Sequence, residues 1–162
     1  VPGLDAVGFL ERAGERVPVR GRLWLDREWS SSVLGPDREG WDWFSLQLED
    51  GRDLTLFRVR AREGGDPFRY GLVTGGPGGR RQLSDDGWRV QPLAWFTDDA
   101  GVRWPVGWAL RLGDERLRVE PLVRDQVMRT TVRYWEGAVR VTGDATGLGY
   151  LEMTGYGARD AP

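Results

Sequence analysis

A chain of 162 residues with net charge −2 is long enough for one domain with a sizeable core, and residues 1–162 read as a single domain. It contains neither cysteine nor histidine, which removes disulfides, thiolate nucleophiles, serine–histidine triads and the usual zinc ligands, so any catalysis must run on carboxylates, arginine, tyrosine or indole N–H groups. All 23 basic residues are arginines scattered along the chain, which offers nucleic acid no basic patch, and no apolar run of about 18 residues is present to span a membrane.

No acidic spacing matches a calcium loop, and neither a metal nor a cofactor is expected. The chain opens on Val1 without a methionine, which reads as a piece of something longer. No signal peptide is visible, although a removed one would leave no trace.

In chain order, Gly3–Leu10 offers at most a short turn, and the first predicted strand runs over 17–29. Strands follow at 41–49, 52–61, 68–74, 79–84, 88–97, 102–112, 115–121, 129–142 and 147–156. The period is two nearly everywhere. Trp104, Val106, Trp108, Leu110 and Leu112 alternate with Arg103, Pro105, Gly107, Ala109 and Arg111; Leu117 and Val119 alternate with arginines; Val139 and Val141 alternate with Ala138 and Arg140. Glycine and proline punctuate the runs, as in sandwiches and barrels. This is an all-β chain of roughly 8–10 antiparallel strands with little or no helix, folded as an up-and-down barrel.

Asp50-Gly51 is a two-residue type I′ signal that pairs Glu49 with Arg52 and runs back to Trp41 opposite Arg60. That register puts Trp41, Trp43, Ser45 and Gln47 on one face with Leu54, Leu56, Arg58 and Arg60. Phe44, Leu46, Leu48, Phe57 and Val59 share the other face with Asp42. The first face is aromatic and polar together, as the wall of a small-ligand cavity would be.

The motifs LWLDREWSS, GWDWFSLQLEDGRDLTLFRVR, YWEGAVRVTG and GLGYLEMTGY, in that order, resemble the carotenoid 1,2-hydratase (CrtC, hydroxyneurosporene synthase) and AttH-like lipocalin-like family. The resemblance covers residues 18 to 157 and points to the second of two tandem barrels, the N-terminal barrel being absent. It implies a bacterial, periplasmic or secreted protein that binds a lipid, isoprenoid or polyene. Two other readings are an acid-catalysed hydratase (a lyase) or pericyclase acting on an isoprenoid or polyene C=C bond without metal, and a structural barrel that docks onto a partner barrel. The expected partner is an apolar or amphiphilic small molecule, with an N-terminal lipocalin-like domain or a second copy as a protein partner.

The candidate acids are Asp26, Glu28 and Glu136. In a dry aromatic pocket one of them would protonate a double bond, and tryptophan rings would stabilise the tertiary cation. The structural reading makes Asp26, Arg27 and Glu28 an ion-pair cluster at a barrel end, and Glu136 a register-setting hydrogen bond beside Tyr134. Trp24, Trp29, Trp41, Trp43, Gln47 and Tyr134 are candidate ligand-lining residues, with plain packing as the alternative. Arg58 and Arg60 would anchor an anionic head group if they point inward and stand at a wet rim if they do not.

Overall fold

The computed structural model describes residues 3–27, 34–62 and 67–157. The chain divides into two compact units, residues 1–31 and 32–162. Among the described residues the regular elements are strands, with essentially no helix. No helix there is long and apolar enough to cross a membrane, and no three acidic side chains are grouped so as to hold a metal ion.

The first unit is a hairpin of β1 (Leu4–Arg12) and β2 (Glu15–Leu23), with Leu4 opposite Leu23 and Arg12 opposite Glu15. Ala13 and Gly14 both take positive φ, 51° and 82°, the geometry of a type I′ turn. Where only a short turn was expected, Gly3–Leu10 supplies a full strand. Ala6 and Gly8 blur its apolar alternation, and pairing with β2 provides the order that the local pattern lacks. β2 ends at Leu23, so the expected strand to residue 29 stops short and Trp24–Arg27 are irregular.

The second unit is one antiparallel sheet of ten strands. In chain order they are β3 (Arg38–Leu48), β4 (Arg52–Ala61), β5 (Phe68–Gly75), β6 (Arg81–Leu83) and β7 (Trp88–Thr97). Then follow β8 (Arg103–Leu112), β9 (Glu115–Pro121), β10 (Val127–Arg129), β11 (Arg133–Gly143) and β12 (Gly147–Thr154). The spatial order is β6-β5-β4-β3-β12-β11-β9-β8-β7, with the short β10 paired to β11. Neighbours therefore follow the chain as a meander, and the unit's first strand lies beside its last. The sheet curls as a lipocalin-like half-barrel and is open between β6 and β7.

The alternating residues converge on one core. Trp88, Trp104, Trp108 and Trp135 are fully buried in it with Phe44, Leu46, Leu54, Leu56, Leu151 and Met153. Phe44 meets Trp108 edge-on at 5.5 Å between ring centroids. Trp135 donates its indole N–H to the Arg124 carbonyl at 2.9 Å, so a large ring is buried without leaving that donor unmade.

The β3–β4 hairpin corrects the expected register by one residue. Gly51 sits at φ 85°, and its N–H bonds to the Leu48 carbonyl at 3.2 Å, which makes a three-residue loop of Glu49, Asp50 and Gly51. The Asp50 carboxylate accepts from the Arg52 backbone N–H at 3.0 Å and from its guanidinium, bracing that loop. Trp41 therefore faces Val59, Asp42 faces Arg58 and Trp43 faces Phe57. Leu54 and Leu56 go to the core with Phe44 and Leu46, and Phe57 and Val59 go to the opposite face. A one-residue slip exchanges the faces of every side chain on the slipped strand.

Asp98 anchors the β7–β8 connection. Its carboxylate, with no exposed side-chain surface, accepts from the Trp104 indole at 3.0 Å, Arg133 at 2.8 Å and the backbone N–H groups of Ala100 and Val102 at 2.9 Å each. Burial pushes the carboxyl up, but the Trp104 and Arg133 bonds and those two backbone N–H groups outweigh it and hold the group below its ordinary 3.8. A depressed carboxyl stabilises the fold above its unfolded value, and that contribution is lost as pH falls through the folded one. Asp98→Ala is expected to cost about 3 kcal/mol at neutral pH, because it strands the buried Trp104 indole N–H and two backbone N–H groups and takes one of its two carboxylate partners from Arg133. Urea denaturation at descending pH checks this: the gap between variant and parent should narrow below about pH 3.8.

Candidate functional site

Alternation along β3 sends Trp41, Trp43, Ser45 and Gln47 away from the core. The adjoining strands add Phe57 and Val59 from β4, Tyr150 and Glu152 from β12, and Tyr134 and Glu136 from β11. In register, Trp43 lies between Phe57 and Glu152, and Glu152 lies opposite Glu136. Trp41 is 8% exposed, and among the described residues it is the one buried hydrophobic side chain outside the core. Its indole N–H bonds to Glu152 Oε1 at 2.8 Å, and its ring lies 5.9 Å from that of Tyr134. Glu136 accepts from the Tyr150 hydroxyl at 3.0 Å.

Two carboxylates directly opposite each other in a sheet repel. Each of these has an aromatic donor of its own, which offsets part of that cost. Burial, then the negative charge of Glu136, pushes the Tyr150 hydroxyl up to about 12. The face thus presents a paired acid site walled by two tryptophans and two tyrosines.

The inward side of the same strands carries a different cluster. Asp42, wholly buried, takes Arg58 Nε at 2.9 Å and its terminal nitrogen at 2.6 Å, Arg60 at 2.7 Å and the Tyr156 hydroxyl at 2.7 Å. Arg60 also donates to the Thr154 carbonyl and lies 3.9 Å over the Tyr156 ring, while Arg58 lies 5.4 Å from the Trp108 ring. Gly40 makes room for this arrangement, since a Cβ there would meet an Arg60 guanidinium nitrogen at 2.6 Å. Burial, then the Asp42 carboxylate, pushes the Tyr156 hydroxyl up. Four donors occupy Asp42, so the cluster is a brace of the kind a buried carboxylate requires.

The predicted residues therefore separate. Trp41, Trp43, Tyr134 and Glu136 come together on the outward face, and Gln47 shares that face farther along β3, opposite Leu148. Arg58 and Arg60 are inward, on the side opposite the tryptophans they were expected to flank. Trp24 and Asp26 belong to the first unit, beyond the end of β2; among the described residues Asp26 is exposed and accepts its neighbour's backbone N–H, from Arg27 at 2.8 Å, which is not the dry pocket expected for a general acid. Glu28 and Trp29 lie outside the described residues. Glu152 was not singled out. The alternation in GLGYLEMTGY already put it on a face with Tyr150, but only the β11–β12 pairing sets it against Glu136.

A meander of antiparallel strands with its first strand beside its last, a packed interior and an aromatic, acid-bearing outer face defines a lipocalin-like domain. Residues 1–156 match the AttH-like family, and the chain belongs to that family. It is similar to the crystal structure of an AttH protein from Nitrosomonas europaea, with a TM-score of 0.86 and 35% identity over 96% of this chain and 51% of that one. It also shares its fold with kievitone hydratase from Nectria haematococca, at a TM-score of 0.72 and 17% identity over 91% of this chain and 49% of that one. The chain spans about half the length of each. No protein of curated function matches it by sequence.

Replacing Glu136 by Gln removes a charge that raises Tyr150, so the tyrosine should ionise at lower pH in the variant, as read by phenolate absorbance against a Tyr150→Phe control. A tyrosine raised in the folded state stabilises the fold below the unfolded value of 10.0, and that contribution disappears as pH climbs through about 12. The stability gap between the parent and Tyr150→Phe in urea denaturation should therefore be full below pH 10.0 and close as pH rises towards about 12. Asp42→Asn leaves Arg58 and Arg60 half-buried without their carboxylate and is expected to cost about 3–5 kcal/mol in urea denaturation.

Proposed function

We propose that this chain is a hydrophobic-ligand-binding barrel, one half of a two-barrel AttH-like protein, whose apolar ligand lies across the outward face at Trp41, Trp43 and Tyr134. The observation that carries the reading is the position of Trp41, a large ring buried outside the core and tied to a carboxylate. Core packing does not need a tryptophan there. Glu152 and the Tyr134 ring hold it in place beside the half-buried Trp43, which a lipid, isoprenoid or polyene would contact. The second barrel, as an N-terminal domain or a second copy, covers the remaining side of such a ligand, in keeping with similar structures twice as long.

A second reading rests on the opposed Glu136 and Glu152. In a carotenoid 1,2-hydratase-like reaction one acid gives its proton to a C=C bond, leaving a tertiary cation that faces the rings of Trp41 and Trp43. Water adds to the cation, and the other carboxylate takes the proton released, so the pair ends with the same number of protons. Hydration is also the reaction class in the name of kievitone hydratase, whose likeness to this chain is one of fold.

A tryptophan-fluorescence titration with a linear polyene, a long-chain fatty acid and a phospholipid tests both readings. Saturable quenching by the polyene at about 1 μM, roughly −8 kcal/mol, is expected, weakened at least tenfold in Trp43→Ala. Quenching that ignores Trp43→Ala would move the ligand off this face, and no quenching by any of the three would make the face a docking surface for the second barrel. For the hydratase reading, Glu136→Gln or Glu152→Gln should abolish turnover of the polyene while leaving its affinity within about twofold. Turnover retained in both would remove the acid pair from the mechanism.

A further inference from the structure

A second concavity lies on the outward side of β7, β8 and β9, away from Trp41 and Trp43. It is a groove of about 400 Å3, and its floor exists because of missing side chains. Val106 and Trp108 point into the core, so Gly107 between them presents bare backbone outward, and a Cβ there would meet that of Ala94 at 2.9 Å. Alongside, the β7–β8 ladder slips between Pro92 and Ala94, a bulge that lifts Leu93 to one lip of the groove, while Leu122 forms the other. Both leucines are exposed.

The rim is charged and unbalanced, with Arg118, Arg124 and Arg140 against the single Glu120. Arg124 is partly engaged, donating to the Trp95 carbonyl at 2.6 Å. Among the described residues neither the Arg118 nor the Arg140 guanidinium donates a hydrogen bond or forms an ion pair, although Arg140 stands directly opposite Glu120 across β9 and β11. Arg118, opposite Thr142, is the diagonal neighbour of Arg140. Diagonal neighbours in a sheet stand about 7–8 Å apart, a gap that one carboxylate or phosphate bridges with both of its faces.

We propose that this groove binds the anionic head of a single-chain amphiphile, an alkyl carboxylate or alkyl phosphate monoester, between Arg118 and Arg140, with the alkyl chain over Ala94 and Gly107 between Leu93 and Leu122. The site is separate from the aromatic face and stands whether or not that face binds a ligand. Planar guanidinium groups suit oxyanions, and an apolar floor beside them adds affinity for an oxyanion that carries an alkyl tail.

Isothermal titration calorimetry of the whole chain with dodecanoate below its micellar concentration, with its methyl ester and with dodecyl phosphate decides the matter. Dodecanoate and dodecyl phosphate should each saturate a single site, and the ester should bind at least tenfold more weakly. Arg118→Gln and Arg140→Gln should each weaken dodecanoate at least fivefold, and Leu122→Ser should do the same without altering the preference over the ester. An ester that binds as tightly as the acid overturns the proposal on the unaltered chain, whatever the variants do. So do arginine variants of parental affinity, or binding confined to phosphatidylglycerol vesicles, which would make the arginines a membrane contact in place of a groove for a free amphiphile.

Discussion

Gly51 holds its backbone at φ 85°, and the arrangement of both faces of the sheet's central strands depends on it. A three-residue loop closed by a left-handed residue sets β4 against β3 with Asp42 opposite Arg58, where a two-residue loop would set Trp43 there. The same choice sends Leu54 and Leu56 into the core with Phe44 and leaves Phe57 and Val59 beside the outward tryptophans. Few residues other than glycine tolerate that conformation, so one backbone torsion selects which chemistry is buried and which is displayed.

With that register in place, the inward side has to solve a charge problem. Asp42 is fully buried, and it is stable there because two guanidinium groups and a phenol give it four hydrogen bonds. Asp98 repeats the solution at the β7–β8 connection with an indole, an arginine and two backbone N–H groups. Both acids lock chain segments whose strands are distant in sequence: Tyr156 follows the last strand and Arg133 opens β11. Removing one member of such a network costs more than the network contributes relative to a well-packed apolar core, because it leaves the remaining buried charges unpaired.

The outward side carries the functional argument. Sheets of this kind usually show water an alternation of polar residues, yet β3, β11 and β12 show a half-buried set of rings and acids. Trp41 bonds to Glu152 and Tyr150 to Glu136, so these half-buried polar groups are not orphaned. The interior is filled by four tryptophans, and the chain, a member of the AttH-like family, spans about half the length of the similar structures.

Much of this was legible along the chain. Period-two alternation located nearly all the strands of the second unit and the inward residues of β8, β9 and β11, because a half-buried strand writes its burial pattern directly into consecutive residues. The absence of histidine and cysteine restricts chemistry to carboxylates, arginine, tyrosine and indole N–H groups. The β1 strand was not legible, since Ala6 and Gly8 carry too little side chain to mark a face. Asp50-Gly51 announced a hairpin but not its loop length, and only packing separates two registers that differ by one residue. The meeting of Glu152 with Glu136, of Trp41 with Tyr134 and of Arg118 with Arg140 belongs to tertiary structure alone. Alternation states which residues share a face of one strand, whereas the choice of neighbouring strand is made by burial and turn geometry acting across the whole sheet.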